Sequence, residues 1–132
     1  MADCGAIAQM PGKHTILVVD DDVTVLNLVR VILAGAGFDV LVANGGSDAI
    51  EVYESASSPI HLLLTDVMMP DLTGPALASR LLARQPDLRV LFISGFHDST
   101  VTHAFAETKG FVLVAKPFTR EELLRAVSGA LD

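Results

Sequence analysis

Three aspartates in a row, Asp20-Asp21-Asp22, a fourth at Asp66, a serine at Ser94 and a lysine at Lys116 are the residues of this chain best suited to carry chemistry. Each follows an apolar run: Ile16-Leu17-Val18-Val19 before Asp20, Ile60-His61-Leu62-Leu63-Leu64-Thr65 before Asp66, Val90-Leu91-Phe92-Ile93 before Ser94, and Phe111-Val112-Leu113-Val114 ahead of Lys116. Carboxylates gathered at one rim repel each other unless a cation or a proton intervenes. Hard oxygens without Cys or His beside them suit Mg2+, with water completing the octahedron. Lys116 and Ser94 supply what the carboxylates lack, a fixed positive charge and a hydroxyl donor. The set suits a phosphoryl group: a metal and an ammonium neutralise its oxygens, the hydroxyl donates to one of them, and a carboxylate attacks phosphorus. Asp66 is the candidate nucleophile, and Asp20 and Asp21 are candidate metal ligands. Asp22 reads better as a helix cap, because acidic side chains favour helix N-termini.

Short β-branched runs alternate along the chain with longer stretches of helical spacing. Strands are expected at Ile16 to Val19, Phe38 to Val42, Ile60 to Thr65, Val90 to Ser94 and Phe111 to Val114. Helices are expected at Val23 to Ala34, Ser47 to Ser55, Gly74 to Arg84, Ser99 to Glu107 and Arg120 to Leu131. Nearly continuous apolar strands belong in the middle of a parallel sheet covered on both faces. Right-handed crossovers then give a single doubly wound α/β domain, a (βα)5 flavodoxin-like fold with strand order 2-1-3-4-5. In such sheets ligands bind at the carboxyl ends of the strands, which is where the candidate residues fall. Gly35 and Gly37 mark the end of the first helix, Gly110 the end of the fourth, and Thr119 ahead of Glu121 and Glu122 looks like an N-cap.

The 132 residues suit one domain, expected to run from Thr15 to Asp132 after an unpatterned tail, Met1 to His14. Lys and Arg number 9 against 16 Asp and Glu, a net charge of −7, so a basic nucleic-acid face is excluded. Hydrophobic residues at 51% and charged ones at 19% exclude a disordered chain. The single cysteine, Cys4, cannot form an intrachain disulfide, and no apolar run is long enough to cross a bilayer. A cytoplasmic location is the expectation.

Taken in order, Ile16-Leu17-Val18-Val19-Asp20-Asp21, Leu64-Thr65-Asp66-Val67-Met68-Met69-Pro70 with Gly74, the strand-ending Ser94, and Lys116-Pro117-Phe118 resemble the receiver domain of two-component response regulators. The resemblance implies that Asp66 accepts a phosphoryl group from a phosphohistidine on a sensor histidine kinase or a histidine phosphotransfer protein. It implies Mg2+ held by Asp21, Asp66 and the backbone carbonyl of Met68, with Asp20 helping directly or through water. Ser94 and Lys116 would hold the phosphoryl oxygens, and a cis peptide bond would precede Pro117. No enzymatic activity beyond its own phosphorylation and dephosphorylation is implied. Leu91 to Phe96 and Asp71 to Pro75 are similar to receivers at the C-terminal end of hybrid sensor histidine kinases.

Leu113 stands where the family often has an aromatic residue, and Gly95 where alanine is commoner. Signal output is expected through His97 to Val114. Bulky Met68 and Phe96, two positions after Asp66 and Ser94, predict slow self-dephosphorylation. Two other function classes compete. A phosphorylation-independent binding module would keep the fold and lose the chemistry, against which the intact Asp20, Asp21, Asp66, Ser94 and Lys116 set argues. A Mg2+-dependent phosphohydrolase would carry a second acid two positions after its aspartyl nucleophile, where this chain has Met68. None of the four histidines has a convincing metal spacing. Met68-Met69 and the stripe Val25-Leu28-Val29-Ile32-Leu33 read as packing, and Gly45-Gly46 as a turn.

Overall fold

The computed structural model describes residues 14–95 and 111–132. The helix expected at Ser99 to Glu107, the output segment from His97 to Gly110, Phe96, and the tail before His14 lie outside the described residues. Five strands, β1 (Thr15–Val19), β2 (Asp39–Ala43), β3 (Leu62–Asp66), β4 (Arg89–Ser94) and β5 (Val112–Ala115), form one parallel sheet in the order β2-β1-β3-β4-β5. Around it lie α1 (Val23–Gly35), α2 (Gly46–Ser55), α3 (Gly74–Arg84) and, at the end of the chain, α4 (Arg120–Leu131). The register sets Val19 against Thr65, Asp66 against Ile93 and Ser94 against Ala115, so β1, β3 and β4 end at one rim.

Alternation along each strand divides the core in two, because successive side chains point to opposite faces of a sheet. Leu17, Val19, Leu63, Val90 and Phe92 pack with Ala49 of α2 and Leu77, Ala78 and Leu81 of α3. Ile16, Val18, Leu62, Leu64, Leu91 and Ile93 pack with Leu26, Val29 and Leu33 of α1 and Leu123, Val127 and Ala130 of α4. Full burial of each Val, Leu, Ile or Phe side chain among these stabilises the fold by about 2 kcal/mol before entropy is counted.

The helices begin where side chains can replace missing backbone acceptors. Asp22 caps α1, accepting from the N–H groups of Thr24 at 2.9 Å and Val25 at 3.4 Å. Thr119 and Glu122 form a reciprocal capping box at α4, with distances of 3.0 and 2.7 Å. α1 closes through Gly37, whose φ of 99° lies in the left-handed region that glycine tolerates. Arg89, opening β4, donates to the backbone oxygens of Ala130 at 2.9 Å and Asp132 at 3.0 Å and so ties down the last turn of α4.

Two packing expectations change in detail. The buried stripe of α1 is Leu26, Val29 and Leu33, while Leu28 is 51% exposed. α1 carries aliphatic residues nearly all round, so its sequence fits more than one stripe. Of the methionine pair, Met69 is buried and Met68 is 58% exposed. Among the described residues, no helix is long and apolar enough to cross a membrane.

Candidate functional site

The ends of β1 and β3 are neighbours, and that adjacency assembles the carboxylates. Asp20 follows β1 and is 1% exposed, Asp66 ends β3 and is 7% exposed, and Asp21 reaches into solvent. One carboxylate oxygen from each of the three lies within 4.8 Å of the others. Asp20 is fixed from several directions. Its N–H donates to the Ala43 carbonyl at 3.2 Å, its Oδ1 accepts from the Asp22 N–H at 2.8 Å, and its Oδ2 accepts from Lys116 Nζ at 3.4 Å. Asp22, spent on the cap of α1, stays outside the carboxylate cluster as expected.

Lys116 arrives from the far side of the sheet. Its backbone N–H donates to the Ser94 carbonyl at 2.8 Å, extending the pairing of β5 with β4, and its peptide bond to Pro117 is cis. Its Nζ lies 3.2 Å from Asp66 Oδ1 as well as 3.4 Å from Asp20 Oδ2, so one ammonium spans two carboxylates. Ser94 is buried at the end of β4, but its hydroxyl donates to the Gly95 carbonyl at 3.3 Å. Beside Lys116, an apolar recess of about 490 Å³ is lined by Val25, Leu28, Gly95, Pro117 and Phe118.

Electrostatics follow from burial and from an unequal count of charges. Loss of hydration, with the neighbouring Asp20 carboxylate, pushes Asp66 up to about 6 despite the opposing pull of Lys116. Burial raises Asp20 as well. For Lys116 burial works downward, but Asp66 and Asp20 outweigh it and leave the ammonium above its ordinary value. Among the described residues, three carboxylates therefore face one ammonium. The donors are all hard oxygens, and the excess of negative charge matches a small divalent cation such as Mg2+.

The loop from Val67 to Thr73 carries the structure's least expected contacts. Gly74, opening α3, donates to the Val67 carbonyl at 2.7 Å, and a Cβ there would meet the Asp66 carbonyl oxygen at 2.4 Å. Farther along, Asp71 Oδ1 accepts from Gly46 N–H at 3.1 Å and Oδ2 from Ser47 N–H at 2.9 Å. These hydrogen bonds hold the Asp71 carboxyl below its usual range. Sequence reasoning missed them, because the partners are 24 and 25 positions apart in the chain. Two faint signals exist: the Gly45-Gly46 pair, and an α2 whose N-cap residue, Gly45, has no side chain with which to cap.

Residues 16–128 match the response regulator receiver domain model. The chain is 30% identical to the response regulator receiver protein CpdR of Brucella abortus over 116 residues, 88% of this chain and 95% of that protein. It is 29% identical to the sensor kinase CckA of the same organism over 124 residues, 93% of this chain but 13% of that much longer protein. Among solved structures, a CheY-like receiver domain protein from Methanospirillum hungatei superposes with a TM-score of 0.82 at 25% identity, covering 92% of this chain and 95% of that one. A receiver domain protein from Clostridium thermocellum gives 0.78 at 26% identity, covering 89% and 94%. The fold, the acidic rim and a match running from β1 into α4 agree: the chain belongs to the response regulator receiver domain family, the receivers of two-component signal transduction.

Proposed function

We propose that Asp66 accepts a phosphoryl group from a phosphohistidine on a sensor histidine kinase or a histidine phosphotransfer protein, and that the aspartyl phosphate changes the contacts the domain makes with protein partners. The observation that carries the reading is the Lys116 ammonium spanning Asp66 and Asp20 at the rim of the sheet. In the transfer a carboxylate oxygen of Asp66 attacks phosphorus and the P–N bond breaks. The bonding electron pair stays on the imidazole nitrogen of the donor. Asp20, Asp21, Asp66 and the Met68 carbonyl would hold Mg2+, which when bound neutralises charge on the phosphoryl oxygens. Lys116, already at Asp66, turns one N–H to donate a hydrogen bond to a phosphoryl oxygen. The Ser94 hydroxyl turns from the Gly95 carbonyl to do the same.

The unit that acts is residues 15–132, and its role is that of a phosphoacceptor rather than an enzyme with a separate substrate. The net charge of −7 supports protein contacts over nucleic-acid contacts, and a cytoplasmic location goes with the reading. The test is incubation with acetyl phosphate and Mg2+, followed by intact mass, beside Asp66→Asn. A single adduct that needs Mg2+ and is absent from the variant is the expected result. An adduct that persists in Asp66→Asn assigns the acceptor elsewhere. No adduct from acetyl phosphate or from a phosphorylated kinase makes the domain a phosphorylation-independent binding module.

A further inference from the structure

We propose that Asp71 is a positioning residue of the phosphorylation site: by stapling the loop after Asp66 to the start of α2, it sets the affinity for Mg2+ without touching the ion. The inference rests on the proposed role of the Met68 carbonyl as a ligand. Met68 is the second residue of the loop, and its exposed side chain offers little anchorage of its own, while its neighbours Val67 and Met69 are buried. Beyond those neighbours, anchorage comes from two further points. At one, Gly74 closes on Val67 and on the Asp66 carbonyl so tightly that a single methyl group does not fit. At the other, both oxygens of Asp71 are taken by the N–H groups of Gly46 and Ser47, and the Leu72 side chain seats on Gly46, where a Cβ would come within 2.4 Å of Leu72 Cβ.

The corner that receives the staple is itself tied to the site. β2 runs into α2 through Ala43, whose carbonyl accepts the Asp20 N–H. The loop that follows Asp66 and the backbone of Asp20 are thus referred to one rigid point, the β2–α2 turn. Groups that orient metal ligands from outside the ligand set change affinity by about 10- to 100-fold when removed.

The test is titration with Mg2+ by calorimetry, and by amide shifts in the 67–73 loop, on wild type, Asp71→Asn, Asp71→Glu and Asp71→Ala. The rate of phosphorylation by acetyl phosphate and the thermal midpoint are measured in parallel. Asn keeps one of the two acceptors and loses the charge, whereas Glu keeps both and the charge but misplaces them by one methylene. The expected order of affinity is wild type, then Asn within about threefold, then Glu, then Ala weakened about tenfold. Phosphorylation rates at limiting Mg2+ should follow the same order. Glu equal to wild type with Asn as weak as Ala would make the effect long-range charge and overturn the proposal. So would an Ala variant that binds Mg2+ like wild type while melting earlier, which reduces the staple to a stability element. Should Asp71→Ala not fold, the order of Asn and Glu against wild type decides alone. A wild type that binds no Mg2+ overturns the metal reading itself, and this inference with it.

Discussion

Lys116 Nζ donates to Asp66 Oδ1 at 3.2 Å, joining residues 50 positions apart in the chain. The same ammonium also serves Asp20, so without a metal it is outnumbered. The two partners should therefore respond oppositely to neutralisation. Lys116→Met leaves neighbouring buried carboxylates unbalanced and should destabilise the metal-free domain by about 2 kcal/mol, below the cost for a fully buried pair because the lysine is partly solvated. Asp66→Asn restores balance and should stabilise it by about 1 kcal/mol. Urea denaturation in EDTA measures both, and shifts of the same sign would contradict the charge count.

Metal-free stability should also fall as pH rises from about 4 to about 6. Asp66 titrates at about 6 in the folded state against 3.8 unfolded, so across that window the native state holds a proton that the unfolded chain has lost. Each increment of pH then favours unfolding, and Asp20, raised by burial, acts in the same direction. The loss from Asp66 alone is on the order of 2–3 kcal/mol. Carbon-13 carboxyl titration in EDTA and denaturation at several pH values test the sign. An Asp66 carboxyl titrating near 4 would remove the basis for it.

Gly74→Ala should disable the site from its own backbone. The added methyl would meet the Asp66 carbonyl oxygen at 2.4 Å and Val67 Cα at 3.1 Å, both main-chain atoms. Overpacking of this kind costs about 2–3 kcal/mol. Because the displaced residue is Asp66, phosphorylation by acetyl phosphate should slow even where the variant is fully folded. A folded variant with an unchanged rate would show that the strand end tolerates displacement.

At the opposite end of the sheet, the Thr15 N–H donates to His61 Nδ1 at 2.9 Å. An imidazole nitrogen that accepts cannot carry a proton, so neutral His61 must be the Nε2–H tautomer. Nitrogen-15 shifts of the ring report this directly, and an Nδ1–H tautomer would break the assignment. His61→Ala should cost about 1 kcal/mol by depriving the Thr15 N–H of its partner.

The sheet and the carboxylates were legible because each depends on residues close in sequence. An apolar run followed by Asp at Val19-Asp20 and Thr65-Asp66 encodes both a strand and a group at its end. Strand ends moved by one or two residues, as at Ile60 and Phe111, because burial continues past the last ladder pair. The α1 stripe was legible only in part, since aliphatic residues on all sides leave the buried face to be chosen by tertiary packing. Asp71 was barely legible, because its partners are backbone N–H groups of a distant helix and leave almost no mark on side-chain identity beyond the glycines that open α2. The orientation of the Ser94 hydroxyl is likewise a rotamer, which residue type does not specify.

The division of the core by the sheet bears on how the domain tolerates change. Leu81 packs on the α2–α3 side and Val127 on the α1–α4 side, with the strand layer between them. Side chains in separate compartments share no cavity into which a neighbour can relax, so their losses should sum. Leu81→Ala combined with Val127→Ala should come within about 0.5 kcal/mol of the two single costs added together. Leu81→Ala combined with Leu77→Ala, on the same side, should depart from the sum. Sequence drift on one face of the molecule is thereby insulated from the other, and each layer is free to diverge at its own pace.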